Sequence, residues 1–146
     1  MQIHMRILGL DVGTRRIGIA MSDELLITAQ GVESLYRKEI KADLEAINKL
    51  IRENNVSEVV VGLPLNMDGT YSAKTKEVIE FMDNLSKAIG VPVKTWDERL
   101  TTVQAEKTLL EADMSRAKRK RVIDKVAAQV ILQGYLDSRK KEHTDV

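Results

Sequence analysis

Residues 5–10 form a nearly continuous apolar run, Met5-Arg6-Ile7-Leu8-Gly9-Leu10, which predicts a buried strand. After the tight Gly13-Thr14-Arg15-Arg16 connection, Ile17-Gly18-Ile19-Ala20-Met21 predicts a second. A third, Ile27 to Leu35, is joined through the polar Ser22-Asp23-Glu24 turn. Connections this short imply antiparallel neighbours. The period then changes. Ile40, Leu44, Ile47 and Ile51 recur at helical spacing and predict an amphipathic helix closed by Asn54-Asn55. Glu58-Val59-Val60-Val61-Gly62 is short and β-branched, as in a buried parallel strand. Val78, Met82, Leu85 and Ile89 mark a second helix ended by Gly90. Tyr71-Ser72-Ala73-Lys74 before it reads as a mobile stretch, with Lys74 and Lys76 available to phosphate. Val91 to Trp96 is the fifth strand. Thr101 with Gln104 makes a capping box for a third helix through about Ala112. A basic loop follows, then a last helix from about Val122 to Ser138 and a polar tail over 139–146.

Three antiparallel strands followed by helix–strand–helix–strand–helix–helix predict an α/β fold. Its core is a mixed five-stranded sheet with helices on both faces. The first, fourth and fifth strands would be parallel neighbours. Open sheets of this kind keep their sites at the carboxyl ends of the strands, where Asp11 and Glu98 emerge, and the last helix can carry Asp124 across that edge.

The length, 146 residues, suits one domain spanning 1–146 that buries roughly 68–70% of its unfolded surface. No stretch approaches the ~18 apolar residues of a membrane span, and residues 1–6 lack a signal-peptide core; a cytoplasmic location is the expectation. Without cysteine there is no disulfide, thiolate site or thiol nucleophile. The two histidines, His4 and His143, lie at opposite ends of the chain, where imidazole chemistry is not expected. Carboxylates remain as metal ligands, which suits hard cations such as Mg²⁺ or Mn²⁺.

Three carboxylates stand out. Asp11 ends an apolar strand, and Glu98 follows another within Asp97-Glu98-Arg99. Asp124 has Ala127, Ala128, Ile131 and Tyr135 on its own helical face. A carboxylate on an apolar face costs on the order of several kcal/mol unless compensated, and a shared divalent cation compensates it. Mutual repulsion would then make Asp124→Asn neutral or slightly stabilising without metal. Taken singly, each has a plainer reading. Asp11 suits a turn or helix cap, Glu98 a surface pair with Arg99 or a lysine, and Asp124 a salt bridge to Lys120 or Arg121.

The net charge of +1 conceals a cationic run, Arg116, Lys118, Arg119, Lys120 and Arg121, leading into the Asp124 helix. Arg15 and Arg16 follow Asp11, and Arg99 follows Glu98. A basic run alone is commonly a solvated loop, but cations beside every candidate acid favour a polyanionic partner, nucleic acid. Aromatics are only 3% of the chain, which points to phosphate contacts rather than base stacking. Arg15, Arg16 and Arg99 are candidates to orient a phosphate. For Arg99 an ion pair with a site carboxylate is an equal alternative.

Four segments, together spanning about residues 5–138, carry a resemblance. They are Leu8-Gly9-Leu10-Asp11-Val12-Gly13-Thr14 with Arg16 and Gly18, and Val61-Gly62-Leu63-Pro64-Leu65-Asn66-Met67-Asp68-Gly69. The others are Asp97-Glu98-Arg99-Leu100-Thr101-Thr102 and Asp124-Lys125-Val126-Ala127-Ala128. In this order they resemble the bacterial YqgF family, ribonuclease H-like proteins described as Holliday junction resolvases or pre-16S ribosomal RNA nucleases. The resemblance implies a ribonuclease H-like fold in which Asp11, Glu98 and Asp124 are the catalytic acids. These would hold two Mg²⁺ or Mn²⁺ ions for phosphodiester hydrolysis. Asp97, adjacent to Glu98 in an extended strand, should point away. The loop after the fourth strand should reach the same edge, with Gly62 allowing close backbone approach and Asn66 and Asp68 able to touch substrate.

The resemblance ranks 5′-end maturation of pre-16S rRNA first and junction resolution second. An actin-like ATP-binding domain also uses Asp-x-Gly-Thr, but it closes two such domains around the nucleotide, and Asp124 would have no role. A non-catalytic nucleic-acid-binding protein is a further alternative. No heptad seam announces a dimer, so a monomer or weak homodimer is expected.

Overall fold

The computed structural model describes the backbone of residues 5–101 and 116–144, with side chains to residue 101 and from 122 to 140. Five strands form one sheet: β1 (Arg6–Val12), β2 (Arg16–Ser22), β3 (Ala29–Tyr36), β4 (Val56–Leu63) and β5 (Val93–Asp97). Their order is β3-β2-β1-β4-β5. β1 and β2 are antiparallel, as are β2 and β3, whereas β1 with β4 and β4 with β5 are parallel. This is the expected mixed sheet. Parallel pairing requires crossovers. Helix α1 (Ile40–Glu53) and helix α2 (Ala73–Ala88) provide them.

Alternation along the strands builds two cores. Leu8, Leu10, Val12, Ile17, Ile19, Val59 and Val61 pack against Ile47 and Ile51 of α1 and Val78, Phe81 and Leu85 of α2. On the other face Ile7, Ala20, Ala29 and Val60 meet Ala127, Ala128, Ile131, Leu132 and Leu136. The latter residues belong to the last helix, α3 (Arg116–Thr144). Burying a Leu or Ile side chain contributes roughly 1.5–3 kcal/mol, so the period-2 pattern of β1 by itself commits both faces.

Four local expectations are corrected. β3 begins at Ala29 rather than Ile27, because Asp23 Oδ1 accepts from the Ile27 and Thr28 backbone N–H groups at 2.7 and 3.1 Å. Those bonds extend the turn, in which Leu26 takes a left-handed φ of 58°. Residues 72–75 are a helix start: the Ser72 hydroxyl accepts from Thr75 N, and the Thr75 hydroxyl accepts from Ser72 N. A threonine completes this capping box in place of the usual Glu or Gln.

α3 begins at Arg116, so the backbone of the basic run is helical rather than a loop. It also continues through the expected tail to Thr144. Lysine, arginine and glutamate are good helix formers, and Arg139 Nη1 anchors this end to Glu58 Oε1 at 2.5 Å. The helix expected from Thr101 to about Ala112 lies, beyond Thr101, outside the described residues. Among the described residues no helix is long and apolar enough to cross a membrane.

Candidate active site

One row of residues crosses the sheet. Ser34, Gly18 and Asp11 are register partners on β3, β2 and β1. Gly62 and Trp96 are partners on β4 and β5. The β1–β4 register pairs Leu10 with Val61, and its next step sets Gly62 beside Asp11. Since Leu10 and Val61 face α1 and α2, Asp11 and Gly62 face α3.

The two glycines flanking Asp11 let the other acids approach. A Cβ on Gly18 would fall inside the carbonyl oxygen of Asp124, well under the 3.0 Å that real contacts respect. The α3 backbone at Asp124 therefore rests directly on β2. A Cβ on Gly62 would meet the Ile131 side chain, and Glu98 Oε1 at 3.0 Å. Neighbouring strands lie ~4.7–4.9 Å apart. Asp11 thus stands between the columns carrying Glu98 and Asp124, about one strand spacing from each. The sheet brings the three expected acids to one edge and one face.

Their side chains do not yet form a cage. Asp124 Oδ2 receives Arg16 Nε at 3.0 Å and the Ser34 hydroxyl at 2.9 Å. The two donors come from β2 and β3. Among the described residues no three acidic or imidazole groups are gathered to hold a metal ion. Arg16 of β2 is thus an ion-pair partner of Asp124. A pair with Lys120 or Arg121 falls on side chains outside the described ones. The Arg16 guanidinium on Asp124 bears on the expectation that Asp124→Asn is neutral or slightly stabilising without metal, because the substitution would also weaken that ion pair.

Glu98 opens a single 3-10 turn, Glu98–Leu100, directly after β5. Asp97 Oδ1 accepts from Arg99 N at 2.9 Å and caps that turn. The Arg99 guanidinium folds back onto the Asp97 carboxylate, with Nη2 to Oδ2 at 2.7 Å. This pairing holds the Asp97 carboxyl below its ordinary 3.8, against a smaller opposing effect of burial, and raises Arg99. Arg99 Nη1 also donates to the Met67 carbonyl at 3.1 Å. Arg99 thus pairs with Asp97, which stood outside the expected site, and ties the β4–α2 loop to the turn bearing Glu98.

Asn66 and Asp68 bind their own loop. Asn66 Nδ2 donates to the Thr70 hydroxyl at 3.0 Å, and Asp68 Oδ1 accepts from Thr70 N at 3.0 Å and the Thr70 hydroxyl at 2.6 Å. These bonds, the Thr70 hydroxyl first, lower the Asp68 pKa. Gly69 closes the turn at φ 87°, a conformation other residues rarely adopt.

Arg15 is exposed and, with Thr14, Lys38, Glu77 and Glu80, lines a cleft of about 720 Å³. Arg37 braces the β1–β2 turn, donating from Nη1 to the Gly13 carbonyl at 3.0 Å and from Nε to Asp43 at 3.3 Å. Asp43 is 2% exposed. Lys118, Arg119 and Lys120 lie in the first turns of α3, ahead of Asp124, but their side chains are outside the described ones.

The sequence reading missed Gly18 and Ser34 as builders of the site. Gly18 carried a signal, a glycine inside an apolar strand, which marks close backbone approach; Ser34 carried none.

Comparison with known proteins agrees with this architecture. A family described as "RuvX: Holliday junction resolvase" matches residues 5–138. The chain belongs to the RuvX family. A protein of Halothermothrix orenii named "Putative pre-16S rRNA nuclease" is 55% identical over 139 residues, covering 95% of this chain and 99% of its own. One of the same name from Myxococcus xanthus is 52% identical over 141 residues, covering 97% and 93%.

Among solved structures, T. thermophilus RuvC in complex with a Holliday junction substrate superposes with TM-score 0.57. The identity is 12%, over 93% of this chain and 96% of that one. Fowlpox virus resolvase with junction DNA gives TM-score 0.55 at 11% identity, over 92% and 98%. At these identities the likeness shows the fold, which is the ribonuclease H-like arrangement. An ATP-binding reading is not favoured by these relatives.

Proposed function

We propose that the acidic row is the divalent-cation centre of the nuclease that family membership makes this protein, and that its substrate is the 5′ end of precursor 16S rRNA. One observation carries the reading: Asp11 lies between two glycines, with Glu98 above one and the Asp124 backbone above the other. Three hard oxygen donors suit Mg²⁺ or Mn²⁺. Asp11, Glu98 and Asp124 would be the groups that hold the cations. Divalent cations held there would supply activation of a water nucleophile and stabilisation of the leaving oxygen.

The chain's own groups do the remaining work. Gly18 and Gly62 set the spacing, the Asp97–Arg99 pair fixes the turn that presents Glu98, and Arg15 and Arg16 offer phosphate-matching guanidinium groups at the same edge. Lys118, Arg119 and Lys120 would bind backbone phosphates ahead of Asp124. Activity in the cytoplasm and a monomeric or weakly dimeric state belong to the same reading.

The name shared by the relatives ranks precursor rRNA first, and the family's description keeps junction resolution second. Resolving a junction requires two coordinated cuts, which a twofold dimer supplies and a single-site monomer does not. Labelled pre-16S rRNA ends and four-way DNA junctions, incubated in parallel with Mg²⁺ and Mn²⁺, test both. Metal-dependent trimming of the RNA that disappears in Asp11→Asn is expected; paired symmetric nicks in the junction alone would reverse the order.

A further inference from the structure

We propose that Arg16 is a positioning residue that holds Asp124 away from the cation centre until a substrate phosphate draws its guanidinium off, so that nucleic acid and divalent cation bind cooperatively. The inference rests on the cation-centre reading above. Two donors, Arg16 Nε at 3.0 Å and the Ser34 hydroxyl at 2.9 Å, converge on the same oxygen of Asp124. Both come from the β2–β3 side, whereas Asp11 and Glu98 lie toward β1 and β5. While Arg16 and Ser34 hold Oδ2 of Asp124, that oxygen is not open to a cation shared with Asp11, and among the described residues no ready cation cage exists.

The guanidinium is placed for an exchange. It lies 5.5 Å from the centre of the exposed Tyr36 ring, which supports it at the sheet edge. Arginine offers five donors in a fork that matches carboxylate and phosphate alike. If Arg16 passes to a phosphate while a cation takes its place on Asp124, every charge keeps a counter-charge. No half-buried ion is stranded, which is otherwise the costly outcome. Ser34, an uncharged donor, adds direction to the resting pose rather than charge. Coupling of this kind is reciprocal: whatever factor the nucleic acid adds to cation affinity, the cation adds to nucleic-acid affinity.

The test is Mn²⁺ titration calorimetry on the parent, Arg16→Gln, Ser34→Ala and Asp11→Asn, each with and without a phosphorothioate oligonucleotide that resists hydrolysis. Without oligonucleotide, Arg16→Gln should bind Mn²⁺ about tenfold more tightly than the parent, a difference of about 1.4 kcal/mol. Ser34→Ala should shift in the same direction by less. The oligonucleotide should tighten Mn²⁺ binding to the parent and change Arg16→Gln little. Unchanged or weaker Mn²⁺ binding in a folded Arg16→Gln protein overturns the proposal; should that variant not fold, the same result in Ser34→Ala does so. If Asp11→Asn binds Mn²⁺ as the parent does, the cation-centre reading itself fails and this inference with it.

Discussion

Substituting Gly18 by alanine tests the account where its geometry is tightest. The added methyl would coincide with the Asp124 carbonyl oxygen, a backbone atom in the middle of α3. No rotamer change relieves that clash, so helix and strand must separate. Overpacking typically costs about 1–3 kcal/mol, and a backbone obstacle places Gly18→Ala at the upper end. At about 2–4 °C per kcal/mol for a chain of this size, the Tm should fall by roughly 6–12 °C. Asp124 moves with its helix, and a displacement near 1 Å can cost about 10²-fold in rate.

Gly62→Ala separates the two effects. Its obstacles are the end of the Ile131 side chain and the Glu98 carboxylate, which can yield for about 0.5–1.5 kcal/mol of rotamer strain. Stability should drop by a few degrees while cleavage falls about as far as in Gly18→Ala. Gly90→Ala, with nothing within 4 Å of the new atom, should change neither. Differential scanning fluorimetry and Mg²⁺-dependent cleavage read both quantities. A Gly18→Ala protein that melts and cleaves like the parent would refute the packing of α3 on β2.

Three further outcomes follow from the site. Asp124→Asn should abolish cleavage and lower the metal-free Tm by a few degrees, because it weakens a charge-assisted contact to Arg16; a raised Tm would mean that repulsion among the carboxylates dominates. The Asp97 carboxyl titrates below its ordinary 3.8, chiefly through Arg99. Its contribution to stability is therefore complete above about pH 5 and is lost as pH falls through the lowered value. Arg99→Met should flatten that acid limb in a Tm-versus-pH series, and an unchanged limb would assign it to other carboxylates. Replacing Lys118, Arg119 and Lys120 by alanine should reduce the slope of log K against log salt. The expected drop is about 0.9 per lost contact on duplex DNA and about 0.7 on single strands; an unchanged slope would make the run a solvated face.

The sheet was legible because burial on both faces leaves a period-2 signal that turns and helices interrupt at the expected places. Ile7, Gly9 and Asp11 alternate along β1 with Leu8, Leu10 and Val12, a pattern that separates two faces; the structure sets the Ile7 face against α3. Capping and fraying were less legible. The box at Ser72 uses a threonine where Glu or Gln is the usual signal. The basic run looked like a loop because its charge pattern hid ordinary helix propensity.

The three acids were visible one at a time, but what joins them was not. Arg16–Asp124 spans 108 residues and Ser34–Asp124 spans 90, and no local pattern encodes contacts between such distant segments. Arg99 shows the opposite case, a local partner rather than a distant one. Its partner is the adjacent Asp97, which the sequence reading did not weigh as an ion-pair partner of Arg99.

Crystals grown with Mn²⁺ and measured at the manganese absorption edge show whether the three acids share a cation. Anomalous density bounded by the carboxylates of Asp11, Glu98 and Asp124 is expected, with Asp124 turned from Arg16 and Ser34 toward β1. Manganese bound elsewhere, or three carboxylates that remain apart at saturating Mn²⁺, would contradict the cation-centre reading.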